Sequence, residues 1–502
     1  MRERLTANGE DLGAYAAEVL NGRKIIVVSN REPYIHQRQG GEIRCIRPAG
    51  GLVNTLDPVM RAVRGVWVAH GAGDADRASA DADGRIAVPP DNPRYTLRRV
   101  WLTKREEAGY YYGLSNEALW PLCHVAYVRP TFRAEDWTAY EAVNRKFAAA
   151  VLDEAGDDQA LVLVQDYHLA LLPRMLKETR PHLGVAHFWH IPWPTHELFR
   201  VCPWRREILE GLLGNDLLGL QTQYDCNRFL ECVDAELQVR VDREQQCVWH
   251  GDRVTYVRSF PIGTDAAGVA AQADSAETAA EAERLQRLLG PGVEAVAVGV
   301  DRLDYTKGIP ERFEAIDRFF IENPAWQGRF QYIGVAAPSR TRIRTYQELG
   351  DRVGSLVDDI NWRHGTDNWK PIVLLREHVG PATTRALYRL GRLCLVTSLH
   401  DGMNLVAKEY VAARTDGDGV LILSRFTGAA SELVDAILVN PYDASSTARA
   451  ILASLEMTED ERRRRMERMR ARVFERNVFE WARRLLGEAA RRAEAPVPGA
   501  PP

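Results

Sequence analysis

Short runs of consecutive apolar residues punctuate this chain, and between them lie longer stretches in which apolar positions recur every three or four residues. The clearest runs are KIIVVSN from residue 24, ALVLVQDYH from 160, GVAHFWHIP from 184, EAVAVGVDR from 294, RFQYIGVA from 329, PIVLL from 371, LCLVTSLHD from 393 and GVLILS from 419. A run that is apolar at every position suits a strand covered on both faces, and its alternation with amphipathic helices predicts parallel α/β sheets. Nearly every run closes on polar residues. Beyond the carboxyl end of a covered strand such residues point into a crevice, so these strand ends are where a ligand is expected.

A chain of 502 residues is too long for one hydrophobic core, and two domains, or three, are expected. The small-residue, acidic stretch from Thr264 to Glu283 separates FPIG from the next strand and reads as the junction, with a helix of the second domain embedded in it. The tail from Glu494, EAPVPGAPP, is too rich in proline and alanine to pack and reads as disordered. Before it, TEDERRRRMERMRARVFERN has a helical pattern with a basic face. Lacking interleaved aromatics, that face reads as solvated rather than as a nucleic-acid surface.

Charge narrows the partners. With 65 basic and 69 acidic residues the net charge is -4, so no global field draws the protein onto nucleic acid or an anionic membrane. Cys45, Cys123, Cys202, Cys226, Cys232, Cys247 and Cys394 form no C-x-x-C pair and no histidines cluster at ligand spacing, so reduced structural thiols and no metal are expected. The N-terminus lacks the apolar centre of a signal peptide, and no stretch supplies the ~20 apolar residues of a bilayer span. A soluble, cytoplasmic protein without a cofactor is the expectation.

The polar strand ends fall into two sets. One holds Ser29, Asn30 and Arg31, then Asp166, Tyr167 and His168, then His190; the other holds Arg302, Asp304 and Lys307, then Arg340, then Asp401 to Asn404 and Glu409. Two sets, one per domain, suggest a cleft between two facing domains. In VDRLDYTKGIPERF, Arg302 and Lys307 flank a turn with Gly308 and can reach one phosphate-bearing group, a forked donor beside a point charge. The alternative is a surface ion pair with Asp301, Asp304 or Glu311. TSLHDGMNLVAKEYVAA, 397 to 413, passes from a strand into a helix whose first N–H groups suit a phosphate, with Glu409 either accepting from a ribose diol or solvated. PAGGL, 48 to 52, either lets backbone approach a phosphate or makes a plain turn. GYYYGLSNEALWP, 109 to 121, offers rings for stacking on a sugar or for packing in a core.

VDRLDYTKGIPERF, SLHDGMNLVAKEYVAA and NEALWP resemble the trehalose-6-phosphate synthases, retaining glycosyltransferases of GT-B architecture with two facing Rossmann-like domains. The resemblance runs from about Lys24 to about Arg484. It implies an N-terminal extension over 1–23, an acceptor domain over 24–263, a nucleotide-sugar domain over 264–475, a helix over 476–493 returning to the first domain, and the tail 494–502. The implied reaction moves glucose from a nucleotide-glucose donor, UDP-glucose favoured, to glucose 6-phosphate, giving trehalose 6-phosphate. Retention is accounted for by a front-face reaction in which the leaving phosphate takes the proton of the acceptor hydroxyl.

Residue by residue, the resemblance implies that Arg302 and Lys307 hold the donor diphosphate and that Asp401, Gly402, Met403, Asn404 and Leu405 contact the glucose and diphosphate. It places Glu409 on the ribose, His190 on the glucose 6-hydroxyl and Gly51 in a loop over the phosphates, with Arg302, Lys307, His190 and Asp401 as the catalytic set. On the acceptor side it assigns Arg31 and Arg340 to the phosphate, and Tyr111, Trp120 and Asp166 to the sugar. No metal is implied, because the cations and a helix terminus supply the positive charge, and a homo-oligomer is compatible. Two departures bear on the acceptor: His70 stands where the family's second tryptophan is expected, and the long segment 31–52 resembles glucosylglycerol-phosphate synthases. The alternatives are therefore glycerol 3-phosphate as acceptor with ADP-glucose as donor, or a non-catalytic nucleotide-sugar-binding relative.

Overall fold

The computed structural model describes residues 8–48 and 50–494. The chain divides into two compact units, Met1–Ile262 with Val478–Pro502, and Gly263–Asn477. Ala49 of PAGGL and the tail from 495, which was expected to be disordered, lie outside the described residues.

The first unit is built on a ten-stranded sheet in the order Arg240–Asp242, Cys247–His250, Arg253–Ser259, Leu217–Leu220, Gly184–Phe188, Ala160–Gln165, Lys24–Ser29, Val66–His70, Tyr95–Val100, Arg85–Val88. From Arg253–Ser259 to Tyr95–Val100 every neighbouring pair is parallel, and the outermost strands are antiparallel additions. Ala160–Gln165 and Gly184–Phe188 are buried at every position, as strands covered on both faces require. After Lys24–Ser29 the chain adds parallel strands on one side, and from Ala160–Gln165 onwards it adds them on the other. The switch point therefore lies between the carboxyl ends of these two strands, from which Arg31 and Asp166 emerge.

The second unit has a wholly parallel six-stranded sheet ordered Ile372–Leu375, Phe330–Ala337, Ala295–Arg302, Leu393–Val396, Val420–Ser424, Ile437–Val439. Numbered by sequence within the unit, the order is 3-2-1-4-5-6, the doubly wound Rossmann arrangement. Its core is rich in aromatic rings, among them Phe313, Phe319, Phe320, Phe330 and Tyr332, packed between the sheet and the helix Ile309–Glu322. The switch point falls between the ends of Ala295–Arg302 and Leu393–Val396.

Each apolar run singled out in the sequence is a strand, and the fold is doubly wound α/β as expected. The acidic stretch after Thr264 is helical, forming Ala266–Ala273 and Ala276–Gln286, in keeping with its alanine content. Residues Gly9–Leu20 form a helix capped by Asn8 that packs on Val478–Glu494 and Gly51–Val63. In the basic helix Glu459–Glu475, Arg462 pairs with Asp418 at 2.7 Å, Arg465 with Glu461 at 2.7 Å, and Arg470 donates to the Ala412 carbonyl at 2.7 Å. The two ends of the second unit touch: a Cβ on Gly263 would lie 2.2 Å from the Arg476 carbonyl oxygen. Among the described residues no helix is long and apolar enough to cross a membrane, and no group of three or more His, Cys, Asp or Glu is arranged to hold a metal ion.

Candidate active site

Arg302 ends its strand, and a single helical turn, Tyr305–Lys307, follows. Asp304 shapes that turn by accepting from the Thr306 amide at 3.1 Å and the Thr306 hydroxyl at 2.9 Å. Its other oxygen accepts from Arg340 Nη1 at 2.7 Å and from the Tyr346 hydroxyl at 3.3 Å, and lies 3.8 Å from Arg302 Nη2. Burial pushes the Asp304 carboxyl up, but Arg340, Arg302 and Lys307 together outweigh it and hold the group well below the usual carboxylate range. Asp304 is thus a fully buried anion joining Arg302 to Arg340, not a surface partner.

Gly308 then turns the chain at φ +60°, and a Cβ there would sit 2.2 Å from the Thr397 carbonyl oxygen. This close approach lets the Leu399 amide bond the Thr306 carbonyl at 2.7 Å, tying the two loops of the switch point together. As a result Lys307 Nζ reaches Asp401 Oδ2 at 2.5 Å. The same oxygen accepts from Asn404 Nδ2 at 3.1 Å and Ser398 Oγ at 3.3 Å. Asn404, at φ 81°, also caps the helix Leu405–Ala413 by accepting from the Ala407 amide at 3.1 Å. Gly402 packs so tightly that a Cβ on Gly428 would meet its carbonyl at 2.1 Å, and Met403 is buried beside it.

Of the ion pairs considered for Arg302 and Lys307, the one with Asp301 does not form, because Asp301 is taken by Arg312 at 2.6 Å. Glu409 is not solvated either. It is buried, and its Oε2 accepts from Arg385 Nη1 at 2.9 Å and the Tyr388 hydroxyl at 3.4 Å. The second unit therefore gathers Arg302, Lys307, Arg340, Asp401, Asn404 and a helix N-terminus at adjoining strand ends, an arrangement suited to a multiply charged anion.

In the first unit, Arg31 is fixed through its carbonyl, which accepts from Ser29 Oγ at 2.7 Å, while Ser29 accepts from Trp67 Nε1 at 2.8 Å. Beneath it the buried Arg99 pairs with Glu32 at 2.9 Å and Asp76 at 2.9 Å. Of PAGGL, Gly51 opens the helix Gly51–Val63, and a Cβ on Gly50 would lie 3.1 Å from Arg31 Nη1. Asp166 adopts φ 72° and accepts from the Tyr167 amide at 3.0 Å. The aromatic segment Ala108–Leu119 is a wide helix with i→i+5 bonds, a form often found at functional sites. Tyr111 stacks on His168 at 5.8 Å, and Trp120 is 6 % exposed and packs on His124 and Tyr167. His70 ends its strand, and burial lowers its ring to about 4.

His190 lies edge-on to Phe188, and its Nε2 is hydrogen-bonded to the Gln165 side-chain amide at 2.8 Å. Burial, with a smaller push from His187, lowers it to about 3. Its ring is therefore neutral near neutral pH. His187, fully buried with Nε2 2.9 Å from the Asp166 carbonyl, is lowered by burial to about 4. Its folded value lies below the unfolded one of ~6.5, so its contribution to stability is full above that pH and is lost as pH falls toward 4. Substituting His187 by glutamine is expected to remove about one proton of slope, ~1.4 kcal/mol per pH unit, between those limits. Urea midpoints across pH 4 to 7 check this, and parallel acid limbs in the two proteins would count against it.

Sequence reasoning named Asp304, as a strand-end residue or a surface ion partner, but missed the residues that anchor it and Glu409. Tyr346 and Arg385 lie within helices whose pattern only announces packing, and their relation to the site is visible in three dimensions alone.

Rossmann-order sheets that collect cations and acids at their switch points are the architecture of enzymes acting on nucleotide-bearing substrates. The chain belongs to glycosyltransferase family 20, whose family model matches residues 23–491, and it is a glycosyltransferase of the GT-B class. It is 40 % identical over 472 residues to the bifunctional trehalose-6-phosphate synthase/phosphatase of Thermoproteus tenax, covering 91 % of this chain but 62 % of that protein. It is 39 % identical over 474 residues to the trehalose-6-phosphate synthase of Mycobacterium avium, covering 93 % of this chain and 95 % of that one. Among solved structures it resembles the E. coli protein bound with UDP-2-fluoro glucose, with a TM-score of 0.82, 30 % identity and coverage of 93 % and 99 %. It also resembles the UDP-forming α,α-trehalose-phosphate synthase of Burkholderia xenovorans in complex with glucose 6-phosphate, with a TM-score of 0.83, 29 % identity and coverage of 93 % and 100 %.

Proposed function

We propose that this glycosyltransferase moves glucose from UDP-glucose to glucose 6-phosphate with retention of configuration, giving trehalose 6-phosphate. The observation that carries the reading is the cluster at the second unit's switch point, where Arg302, Lys307, Asp401 and Asn404 converge from two adjoining strands. Its relatives' names, and the ligands of the E. coli and Burkholderia proteins, support the choice of donor and acceptor.

In this reading Arg302 and Lys307 neutralise the donor diphosphate and the charge that grows on it as the glycosidic bond breaks, the largest resource the site offers. The departing phosphate takes the proton of the acceptor hydroxyl. Asp401, Gly402, Met403, Asn404 and Leu405 line the glucose and diphosphate, and Glu409, oriented by Arg385, accepts from the ribose diol. His190 accepts from the glucose 6-hydroxyl, which its neutral state permits. Gly51 and the first N–H groups of its helix approach the phosphates. Arg31 and Arg340 bind the acceptor phosphate, while Tyr111, Trp120 and Asp166 contact its sugar.

The test is a panel of UDP-, ADP- and GDP-glucose against glucose 6-phosphate and glycerol 3-phosphate, read by product mass. Trehalose 6-phosphate as the dominant product is expected; glucosylglycerol phosphate, the outcome His70 and the long 31–52 segment would favour, overturns the acceptor assignment. Because protein cations meet the leaving-group charge, EDTA is expected to leave the rate intact. Loss of transfer on chelation and recovery with Mg²⁺ would refute that part of the mechanism.

A further inference from the structure

We propose that the first unit carries a second anion site, outside the residues assigned to transfer, that takes a small phosphate monoester bearing a flat ring. It is a concavity of about 330 Å³ lined by Tyr15, Phe260, Gly487, Glu488 and the arginines Arg258, Arg483, Arg484 and Arg491. Its walls are the strand Arg253–Ser259 with the residue after it, the helix Val478–Glu494 and the helix Gly9–Leu20.

The charge balance within it is lopsided. Glu488 already serves Arg491 at 2.6 Å and Arg492 at 2.8 Å, and lies 3.9 Å from Arg258 Nε. Arg483 is held by Glu480 at 2.9 Å. Arg484 has no carboxylate within ion-pair distance among the described residues, and its guanidinium lies 5.9 Å over the Phe260 ring. Such a surplus of guanidinium groups, in a chain whose net charge is -4, favours a dianion with several oxygens over a single carboxylate. The Phe260 and Tyr15 rings supply apolar walls for a ring beside the anion. Gly487 lets Tyr15 pack directly against the helix Val478–Glu494 as one wall of the concavity, since a Cβ there would meet the Tyr15 hydroxyl at 2.1 Å.

The position adds to the interest of the site. The chain leaves the first unit after Ile262 and re-enters it at Val478, so a bound ligand would bridge the two segments that lead to those crossings.

Calorimetric titration of the full chain with phenyl phosphate and with inorganic phosphate, at constant ionic strength, tests the proposal. Both are expected to bind, phenyl phosphate more tightly, and Arg484→Glu is expected to weaken each about ten-fold or more, the worth of one charge-assisted bond. Arg463→Glu, the same charge change on an exposed helix of the second unit, is expected to leave binding unchanged, and basal transfer is expected to persist in both variants. Absence of binding beyond that of a chloride control, or equal weakening by both substitutions, overturns the site. Equal affinity for the two probes overturns the ring-binding part.

Discussion

Replacing Lys307 by alanine is expected to lower turnover at least ~10²-fold, because one positioned stabiliser of a developing anion typically contributes that much. The effect should fall on kcat rather than on folding. Asp401, which loses its 2.5 Å partner, still accepts from Asn404 and Ser398, so the loop retains its internal support. Single-turnover rates with product mass, alongside a melting curve, check both halves of the statement. Wild-type turnover in this variant would remove the diphosphate from Lys307 and with it the proposed geometry of the donor site.

The largest loss of stability is expected from Asp304→Asn. The substitution keeps a side chain able to accept from Thr306, but it removes the charge facing Arg340, itself buried, at 2.7 Å and Arg302 at 3.8 Å. Leaving a buried guanidinium without its counter-charge costs ~3–5 kcal/mol. For a unit of this size that corresponds to a fall in Tm of roughly 6 to 20 °C. Acceptor KM should rise ~10 to ~150-fold as Arg340 loses its orientation. The converse variant, Arg340→Met, strands the carboxylate instead, so it too should destabilise while weakening the phosphorylated acceptor and leaving nucleotide affinity nearly unchanged. Differential scanning calorimetry and acceptor kinetics on both variants decide the matter; an unshifted Tm for Asp304→Asn would show that the pair contributes nothing to the fold.

Most parallel strands were legible because burial on both faces favours nearly unbroken apolar runs, as in Ala160–Gln165 and Val420–Ser424, whereas Ile372–Leu375, at the sheet edge, is only partly buried. Val66–His70 and Leu217–Leu220 are buried too, but they are short and lie next to glycines and polar turns, so local pattern did not separate them from loops. At the site, Arg302, Lys307, Asp401 and Asn404 could be picked out as polar residues beyond strand ends, and their proposed roles came from the family resemblance. How they are held was not. The Asp304 hub draws on Arg340 and Tyr346, and Glu409 on Arg385 and Tyr388, contacts between residues far apart in sequence that no local pattern encodes. Trp120 shows the opposite case, in which a polar-aromatic motif is equally consistent with a sugar platform and with core packing, and the ring is buried against His124 and Tyr167.

The contact between Gly263 and the backbone of Arg476 and Asn477 makes the second unit, topologically, a closed loop hung from the first. A domain whose first and last residues meet can be inserted into a host, or excised from it, with little loop-closure entropy to overcome. The same juxtaposition makes this the natural place to join old termini and open new ones. Circular permutants of 263–477, or a host chain closed by a short glycine-serine bridge between 262 and 478, are therefore the fragments in which the folding of each unit could be studied, and exchanged between homologues, one at a time.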